Sequence, residues 1–208
     1  MNTSNLEWDR IFSKEGRVFL EPIPQFDAIA AEFNRAQCHR VLDLGCGTGR
    51  HSVAFAARGF DVTATDISMN GLAQTRSWLA EVGKTAPLAC VDTRDALPFP
   101  SASFDAVFTN RVIHHALLAR VRLAISEIHR LLRPHGLAYI SLPGRNKEDI
   151  GGVQIEPGTF IPQDGSEKGL PHHLFTEEEL YVEFAAFKIR QVEVLTQNYG
   201  YALLLEKE

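Results

Sequence analysis

A glycine-rich turn, "VLDLGCGTGRH" (41–51), joins a short apolar run to the beginning of a helical pattern. Gly45, Gly47 and Gly49 let the backbone turn tightly and bring its N–H groups close to a ligand. The helix that is predicted to begin near residue 49 favours a negatively charged group at its first turn. A strand, a turn and a helix in this order indicate an α/β protein with a ligand at the turn, although the turn alone does not identify that ligand.

On the carboxyl-terminal side of this turn, short apolar strands alternate with helical patterns. The predicted strands are VLDLG (41–45), DVTATD (61–66), PLACVD (87–92), FDAVFTN (104–110) and LAYISLP (137–143). Helices are predicted from about 49, over about 70–81 and over about 117–132, the last stopped by Pro134-His135-Gly136. This alternation predicts a parallel sheet with helices on both faces.

The end of the chain departs from this alternation. FKIRQVEVL (187–195) and YALLLEK (201–207) are both predicted strands, and only Asn198-Tyr199-Gly200 forms the turn near their junction. So short a link permits only antiparallel pairing. A mostly parallel sheet with one antiparallel strand near its edge is a narrower class than α/β proteins in general.

Two acids at predicted strand ends indicate the kind of ligand. Asp66 ends the second strand, about 20 residues after the turn, where a carboxylate can accept both ribose hydroxyls of a nucleoside. Asp92 ends the third strand, where it could meet an adenine edge. The G-x-G-x-G spacing and the acid at Asp43, which would repel a pyrophosphate, argue against the G-x-G-x-x-G turn of nicotinamide and flavin enzymes.

Three blocks together resemble the class I S-adenosylmethionine-dependent methyltransferases, over about residues 41–143. They are "VLDLGCGTGRHSVAFAARGFDVTATDIS", "CVDTRDALPFPSASFDAVFTNRVIHH" and "EIHRLLRPHGLAYISLP". The resemblance implies a doubly wound, Rossmann-like, seven-stranded sheet of order 3-2-1-4-5-7-6 with strand 7 antiparallel. It implies S-adenosyl-L-methionine as cofactor and S-adenosyl-L-homocysteine as product. The implied cofactor contacts are Asp43, Gly45, Cys46, Gly47, Asp66, Ile67, Asp92, Thr93 and Asn110. The segment from Asp92 to Leu97 is one residue longer than is usual in this family.

The whole chain, 1–208, is interpreted as a single methyltransferase domain. It comprises an N-terminal helical arm (1–36), a cofactor-binding core (37–143), an insertion (144–175), and a final helix with the antiparallel strand pair (176–208). The amphipathic arm resembles those of the thiopurine and tellurite-resistance branches, which fold over the cofactor; a core-packing helix is the alternative. The insertion far exceeds a usual connection of about 2–6 residues, which favours a lid loop, with a short hairpin around "QIEPGTFIPQ" also open.

Two histidine pairs are the candidate catalytic residues. His114 and His115 follow the fourth strand, and His172 and His173 precede a helix that Thr176 begins as part of a capping box. Adjacent residues in an extended lead-in point to opposite sides, so one of the second pair is expected to face the site. These histidines could act as a base or contact the acceptor. The alternative is that they are packed in the core or exposed to solvent. Neither pair has helical i, i+4 spacing, and we therefore predict no metal site.

Composition and the lack of certain motifs indicate which binding partners and which compartment to expect. A net charge of −5 without a basic face, and the lack of Asn-Pro-Pro-Tyr after the fourth strand, argue against nucleic acid. No apolar run approaches the roughly 20 residues that span a bilayer. Three cysteines without CxxC spacing suit a reducing compartment, so a cytoplasmic protein is expected. The prediction is methyl transfer to a small-molecule acceptor by a monomer or homodimer. The alternatives are an NAD(P)-dependent Rossmann oxidoreductase and a non-catalytic domain that binds the cofactor.

Overall fold

A seven-stranded sheet forms the centre of the protein, in a computed structural model that describes residues 3–17, 19–145, 152–196 and 199–208. The strands of these ranges are β1 Arg40–Leu44, β2 Asp61–Asp66, β3 Leu88–Cys90, β4 Phe104–Asn110, β5 Leu132–Pro143, β6 Gly152–Glu156, β7 Thr159–Pro162, β8 His172–His173, β9 Phe187–Leu195 and β10 Gly200–Lys207. The helices are α1 Thr3–Glu15, α2 Phe26–Arg35, α3 Arg50–Ala57, α4 Met69–Glu81, α5 Leu118–Leu131 and α6 Glu177–Glu183. No helix in these ranges combines the length and the apolar character that crossing a bilayer would require.

The strand order of the large sheet is β3-β2-β1-β4-β5-β10-β9. The pairs from β3 to β5 are parallel, whereas β10 is antiparallel to both of its neighbours. This confirms the predicted order 3-2-1-4-5-7-6 with strand 7 reversed. The parallel strands all end at one side of the sheet, which we call the carboxyl edge; the opposite side is the amino edge.

Three predicted strands have their expected bounds, β1 and β10 differ from theirs by one residue, and β3 and β5 differ by more. β2, β4 and β9 match the predicted ranges. β3 ends at Cys90, so Asp92 lies beyond the strand instead of ending it. β5 begins at Leu132, directly after α5, and its pairing with β4 shifts register between Leu132 and Leu137, where His135 has a φ of +60°. The predicted helix over about 117–132 is confirmed, since α5 spans Leu118–Leu131 and ends before Pro134-His135-Gly136.

Two apolar layers cover the faces of the sheet. Val41 and Leu42 are neighbours in β1 but belong to different buried clusters, because alternate strand residues face opposite sides. The cluster around Val41 contains the side chains of α2 and α3, among them Phe33 and Phe55. The cluster around Leu42 contains those of α5 and α6. Helices on both faces make this a doubly wound α/β protein, as predicted.

The N-terminal arm has two parts with different roles. α2 is a core-packing helix, with Phe26 and Phe33 fully buried. α1 instead lies against α4, where Gln74 Nε2 donates to the carbonyl oxygen of Phe12 over 2.8 Å. Asp9 accepts from the Ser68 hydroxyl at the start of α4. The core-packing expectation therefore describes α2, while a role of α1 as a cover over the cofactor stays a prediction.

The insertion contains a small antiparallel sheet in the order β6-β7-β8. The hairpin of β6 and β7 confirms the alternative drawn around "QIEPGTFIPQ", while β8, which brings His172 opposite Phe160, was not predicted. The part of the insertion at 146–151 and Asn198 of the predicted turn lie outside the described residues. The predicted capping box is confirmed, since Thr176 Oγ1 accepts from the Glu179 N–H over 3.3 Å and the Glu179 carboxylate accepts from the Thr176 N–H over 2.8 Å.

Candidate functional site

A cavity of about 1040 Å³ opens at the carboxyl edge of the large sheet. Its walls come from the glycine-rich turn, from the residues after β2, β3 and β4, from the arm and from the insertion. Ligand cavities in proteins commonly measure about 300–1,000 Å³, so this one has room for a nucleoside cofactor and a second small molecule. The location also fits the rule that doubly wound sheets bind ligands where their parallel strands end.

The glycine-rich turn is packed too closely for side chains. At Gly45, which has a φ of +80°, a Cβ atom would lie 2.3 Å from Cγ2 of Val112. Gly49, with a φ of +98°, is similarly close to the backbone and side chain of Thr75. Positive φ angles and close neighbours together explain why glycine is required at these positions. The backbone of the turn, rather than side chains, therefore forms this wall of the cavity.

Asp66 lies directly beside this turn. One carboxylate oxygen accepts from the Gly47 N–H over 2.7 Å and the other accepts from the Ser68 N–H over 2.9 Å. Asp66 is not the cap of α4, because the Ser68 hydroxyl accepts from the Gly71 N–H. Burial raises the pKa of the Asp66 carboxyl to about 6. The backbone thus fixes a buried carboxylate at the cavity wall, in the position that the sequence predicted.

Eight of the nine predicted cofactor contacts line the cavity: Gly45, Cys46, Gly47, Asp66, Ile67, Asp92, Thr93 and Asn110. Asp43, the ninth, does not line it and lies behind the turn, where its carboxylate accepts from the Ser52 hydroxyl over 2.5 Å. Burial raises the pKa of Asp43 to about 7. Asp92 forms an ion pair with Arg94 over 2.6 Å at the cavity wall.

Three of the four predicted histidines meet in the cavity. The ring centroids of His114 and His115 are 3.9 Å apart, and those of His115 and His172 are 4.7 Å apart. His173 points the other way, is fully buried, and has its Nδ1 2.8 Å from the Thr159 hydroxyl. The opposite directions of His172 and His173 agree with the expectation for an extended lead-in. We refer to His114, His115 and His172 as the histidine cluster.

Backbone pairing brings the two chain segments of the histidine cluster together. The His173 N–H donates to the carbonyl oxygen of His114 over 2.8 Å, which attaches β8 to the turn after β4. Glu167, from the insertion, has Oε2 3.1 Å from Nε2 of His172 and 3.5 Å from Nε2 of His115. The ring of Trp8 from α1 lies 5.0 Å from that of His115. The arm, the insertion and the core therefore meet at this cluster.

Each histidine of the cluster has one ring nitrogen that makes no hydrogen bond to any described residue. Within the described ranges, His114 Nδ1, His115 Nε2 and His172 Nε2 are buried and have no hydrogen-bond partner. Burial lowers the pKa of His114 well below its usual value and that of His172 to about 4. Both imidazoles are therefore neutral near pH 7 and present ring nitrogen atoms that can accept a proton or bind a ligand.

Several cavity residues were not predicted from the sequence. Tyr139 lies within a predicted strand, lines the cavity, and has a hydroxyl that is buried without a hydrogen-bond partner among the described residues. Arg111 follows β4 with a φ of +57°, and His51 accepts from the Ile23 N–H over 3.3 Å. Glu167 belongs to a stretch of glycine, serine and lysine with no periodic pattern. Only the position of Arg111, directly after a predicted strand, offered a usable signal.

Sequence comparisons identify relatives of the central part of the chain. Residues 42–140 match a family model described as a methyltransferase domain. A malonyl-[acyl-carrier protein] O-methyltransferase from Erwinia billingiae is 34% identical over 115 residues, covering 55% of this chain and 43% of the relative. The chain spans about half the length, or less, of the first curated relatives it matches.

Solved structures of the same fold cover nearly the whole chain. A S-adenosylmethionine-dependent methyltransferase from Methanosarcina mazei has a TM-score of 0.75 and 24% identity, covering 90% of this chain and 99% of its own. A 1,6-didemethyltoxoflavin N1-methyltransferase from Burkholderia thailandensis has a TM-score of 0.73 and 21% identity, covering 99% of this chain and 88% of its own. At these identities the likeness concerns the fold.

Proposed function

We propose that this chain, which belongs to the class I S-adenosylmethionine-dependent methyltransferase family, transfers the methyl group of S-adenosylmethionine to a small-molecule acceptor. The observation that carries the proposal is the position of Asp66, fixed by the N–H groups of Gly47 and Ser68 beside a turn that leaves no room for a side chain at Gly45 or Gly49. A carboxylate held in this way is suited to the vicinal hydroxyls of a ribose.

The hydrogen bonds of Asp66 leave capacity for a nucleoside. A carboxylate offers about four lone-pair sites, and the backbone uses one on each oxygen. Each oxygen therefore has one further lone-pair site. These two sites can accept hydrogen bonds from the two ribose hydroxyls. In this arrangement the adenine lies near Asp92 and Thr93, and the methionine part lies along the turn from Gly45 to Gly47. These are the positions that the family resemblance implies.

The reaction is a direct displacement at the methyl carbon. The bond from the sulfonium sulfur to the methyl group breaks as the bond from the acceptor atom to that group forms, leaving neutral S-adenosylhomocysteine. The protein mainly aligns the two molecules and excludes water. Phe12 of α1 suits the second task, because its ring lies 3.4 Å from where a Cβ of Gly47 would be. Trp8 extends the same cover toward His115.

The acceptor side of the cavity is assigned to the histidine cluster and its neighbours. His115 and His172 line the cavity and their Nε2 atoms face the interior of the cluster, so we assign acceptor contact to them and not to His173. A small-molecule acceptor is supported by the size of the cavity. It also agrees with 1,6-didemethyltoxoflavin, the small molecule named for one of the similar structures.

Calorimetric titration with S-adenosylhomocysteine and with NAD tests the cofactor. We expect the chain to bind S-adenosylhomocysteine in a 1:1 complex and to show no heat of binding with NAD. The reverse result would identify a nicotinamide-dependent enzyme. A second measurement follows transfer of a labelled methyl group to a panel of hydroxyl, carboxyl, amine and thiol acceptors. Binding without transfer to any of them would instead indicate a domain that only binds the cofactor.

A further inference from the structure

We propose that His114, His115, His172 and Glu167 form a binding site for a divalent first-row transition metal, with Zn²⁺ as the representative ion. The site goes beyond methyl transfer and does not rest on it. One ring nitrogen from each histidine lies within 4.8 Å of the other two. Their common centre is then at most about 2.8 Å from each nitrogen, so shifts of under about 1 Å would give zinc–imidazole bonds of about 2.0–2.1 Å.

The orientation of His115 identifies its free nitrogen. Its Nδ1 lies 3.0 Å from the carbonyl oxygen of Val112, and a carbonyl can only accept a hydrogen bond. The proton of the neutral imidazole is therefore on Nδ1, and Nε2 presents a lone pair to the cluster. A hydrogen bond from the second ring nitrogen to a carbonyl is the usual way in which metal-binding histidines are oriented.

Glu167 lies beside two of the three histidines. Its Oε2 is 3.1 Å from Nε2 of His172 and 3.5 Å from Nε2 of His115, which carries a lone pair. Three imidazole nitrogens and a carboxylate oxygen are ligand types that zinc binds in proteins.

The site is held by backbone hydrogen bonds rather than by flexible side chains alone. β8 pairs with β7, and the His173 N–H donates to the His114 carbonyl oxygen over 2.8 Å. The spacing within each histidine pair does not reveal this connection, and the sequence therefore predicted no metal site. Our proposal departs from that prediction. The ligands come from two segments that only the fold brings together, and His173 is excluded because it faces Thr159.

The ligand set also indicates which ions fit. Imidazole nitrogens with one carboxylate suit zinc, iron and nickel, whereas magnesium and calcium prefer oxygen ligands throughout. Glu167 is the most exposed of the four side chains, at 38%, compared with 11% for His115 and 16% for His172. An oxygen or sulfur atom of the acceptor would therefore replace Glu167 more readily than an imidazole. The ion would then hold the acceptor at the cavity wall.

Metal binding is tested on the full chain, without a histidine tag, after removal of bound metal by a chelator. Calorimetric titration with Zn²⁺ alone, in the absence of any cofactor, should give one site per chain. We expect His115→Ala to weaken binding on the order of 100-fold, and Glu167→Gln on the order of 10-fold. His135→Asn is the matched control, because His135 is an exposed histidine whose φ of +60° asparagine tolerates. It should bind Zn²⁺ as the wild type does.

Trp8 supplies an optical readout of the same site. Its ring is 5.0 Å from that of His115, so Ni²⁺ in the cluster should quench its fluorescence and reach saturation at one equivalent. Trp8→Phe should remove this quenching. Circular dichroism shows whether each variant is folded, and Glu167→Gln, in the half-exposed loop, keeps the test valid if His115→Ala unfolds.

Two results would overturn the proposal: no stoichiometric Zn²⁺ binding by the wild type, or equal affinity in the wild type, His115→Ala and Glu167→Gln. S-adenosylhomocysteine is titrated into the same samples. If the protein binds S-adenosylhomocysteine but no metal, only the metal site is rejected. Zn²⁺ binding without any binding of S-adenosylhomocysteine rejects only the proposed function.

Discussion

The pKa values of buried acids are shifted in opposite directions at the two edges of the large sheet. At the amino edge, the carboxylate of Asp105 accepts hydrogen bonds from Arg40 and Arg133 and from the backbone N–H groups of His39 and Arg40, all within 2.9 Å. Although burial opposes ionisation, these bonds hold the pKa of Asp105 well below its usual value. At the carboxyl edge, burial prevails and raises the pKa of Asp66 to about 6.

Other buried polar groups also differ between the two edges, in whether they have hydrogen-bond partners. Within the described part of the chain, Tyr139 and the three nitrogens of the histidine cluster are buried at the carboxyl edge without hydrogen-bond partners. Unsatisfied buried polar groups cost stability, whereas the bonded group around Asp105 adds to it. The comparison teaches that the amino edge stabilises the fold, while the carboxyl edge keeps polar groups available for ligands at some expense of stability.

Asp105→Asn gives the largest expected effect. The change removes a charge from a buried group and leaves Arg40 and Arg133 without their partner, so we expect a loss of about 3 kcal/mol in the free energy of unfolding. Urea denaturation measures it. Because the pKa of Asp105 is lowered by folding, its contribution is present at neutral pH and is lost as the pH falls below about 4. A variant as stable as the wild type at pH 7 would contradict this account of the amino edge.

Gly45→Ala should cost about 2 kcal/mol of unfolding free energy, from the positive φ and from the contact with Val112. Gly59→Ala is the matched control, since Gly59 has a φ of +87° but nothing within 4 Å of its Cβ position. We expect it to cost about 1 kcal/mol. Thermal unfolding of both variants separates the packing effect from the backbone effect, and equal losses would show that Val112 exerts no constraint.

The affinity for S-adenosylhomocysteine should depend on pH through Asp66. The carboxyl titrates at about 6, and its protonated form accepts ribose hydroxyls poorly. Affinity should therefore be constant above about pH 7 and fall by up to about tenfold per pH unit below pH 6. Calorimetry between pH 5 and 8 checks this. Asp43 also has a raised pKa and is therefore the control. If Asp66 causes the pH dependence of the affinity, the Asp43→Asn variant should retain it.

Tyr139→Phe is expected to have the smallest effect, and a favourable one. The hydroxyl of Tyr139 is buried without a partner, so its removal should raise the free energy of unfolding by up to about 1 kcal/mol. Urea denaturation of the free protein measures the change. Destabilisation instead would mean that the hydroxyl is satisfied in solution and that the carboxyl edge is less strained than proposed.

The central sheet could be predicted from the sequence because its signals are local. Short apolar runs between helical patterns define β2 and β4, and the short link before β10 permits only antiparallel pairing. Asp66 was also predictable, since the end of a strand fixes its edge of the sheet. The part played by Glu167 in the histidine cluster was not. It depends on β8 joining a small sheet and on one backbone bond between His173 and His114, and neither leaves a periodic pattern.

A paired measurement on Asp66→Asn and Asp105→Asn tests the central claim most directly. Each variant is titrated with S-adenosylhomocysteine and unfolded with urea at pH 7. We predict that Asp66→Asn loses on the order of 100-fold in affinity while its stability stays within about 1 kcal/mol of the wild type. Asp105→Asn should keep its affinity and lose stability. Unchanged affinity in a folded Asp66→Asn protein would contradict the assignment of the carboxyl edge as the cofactor site.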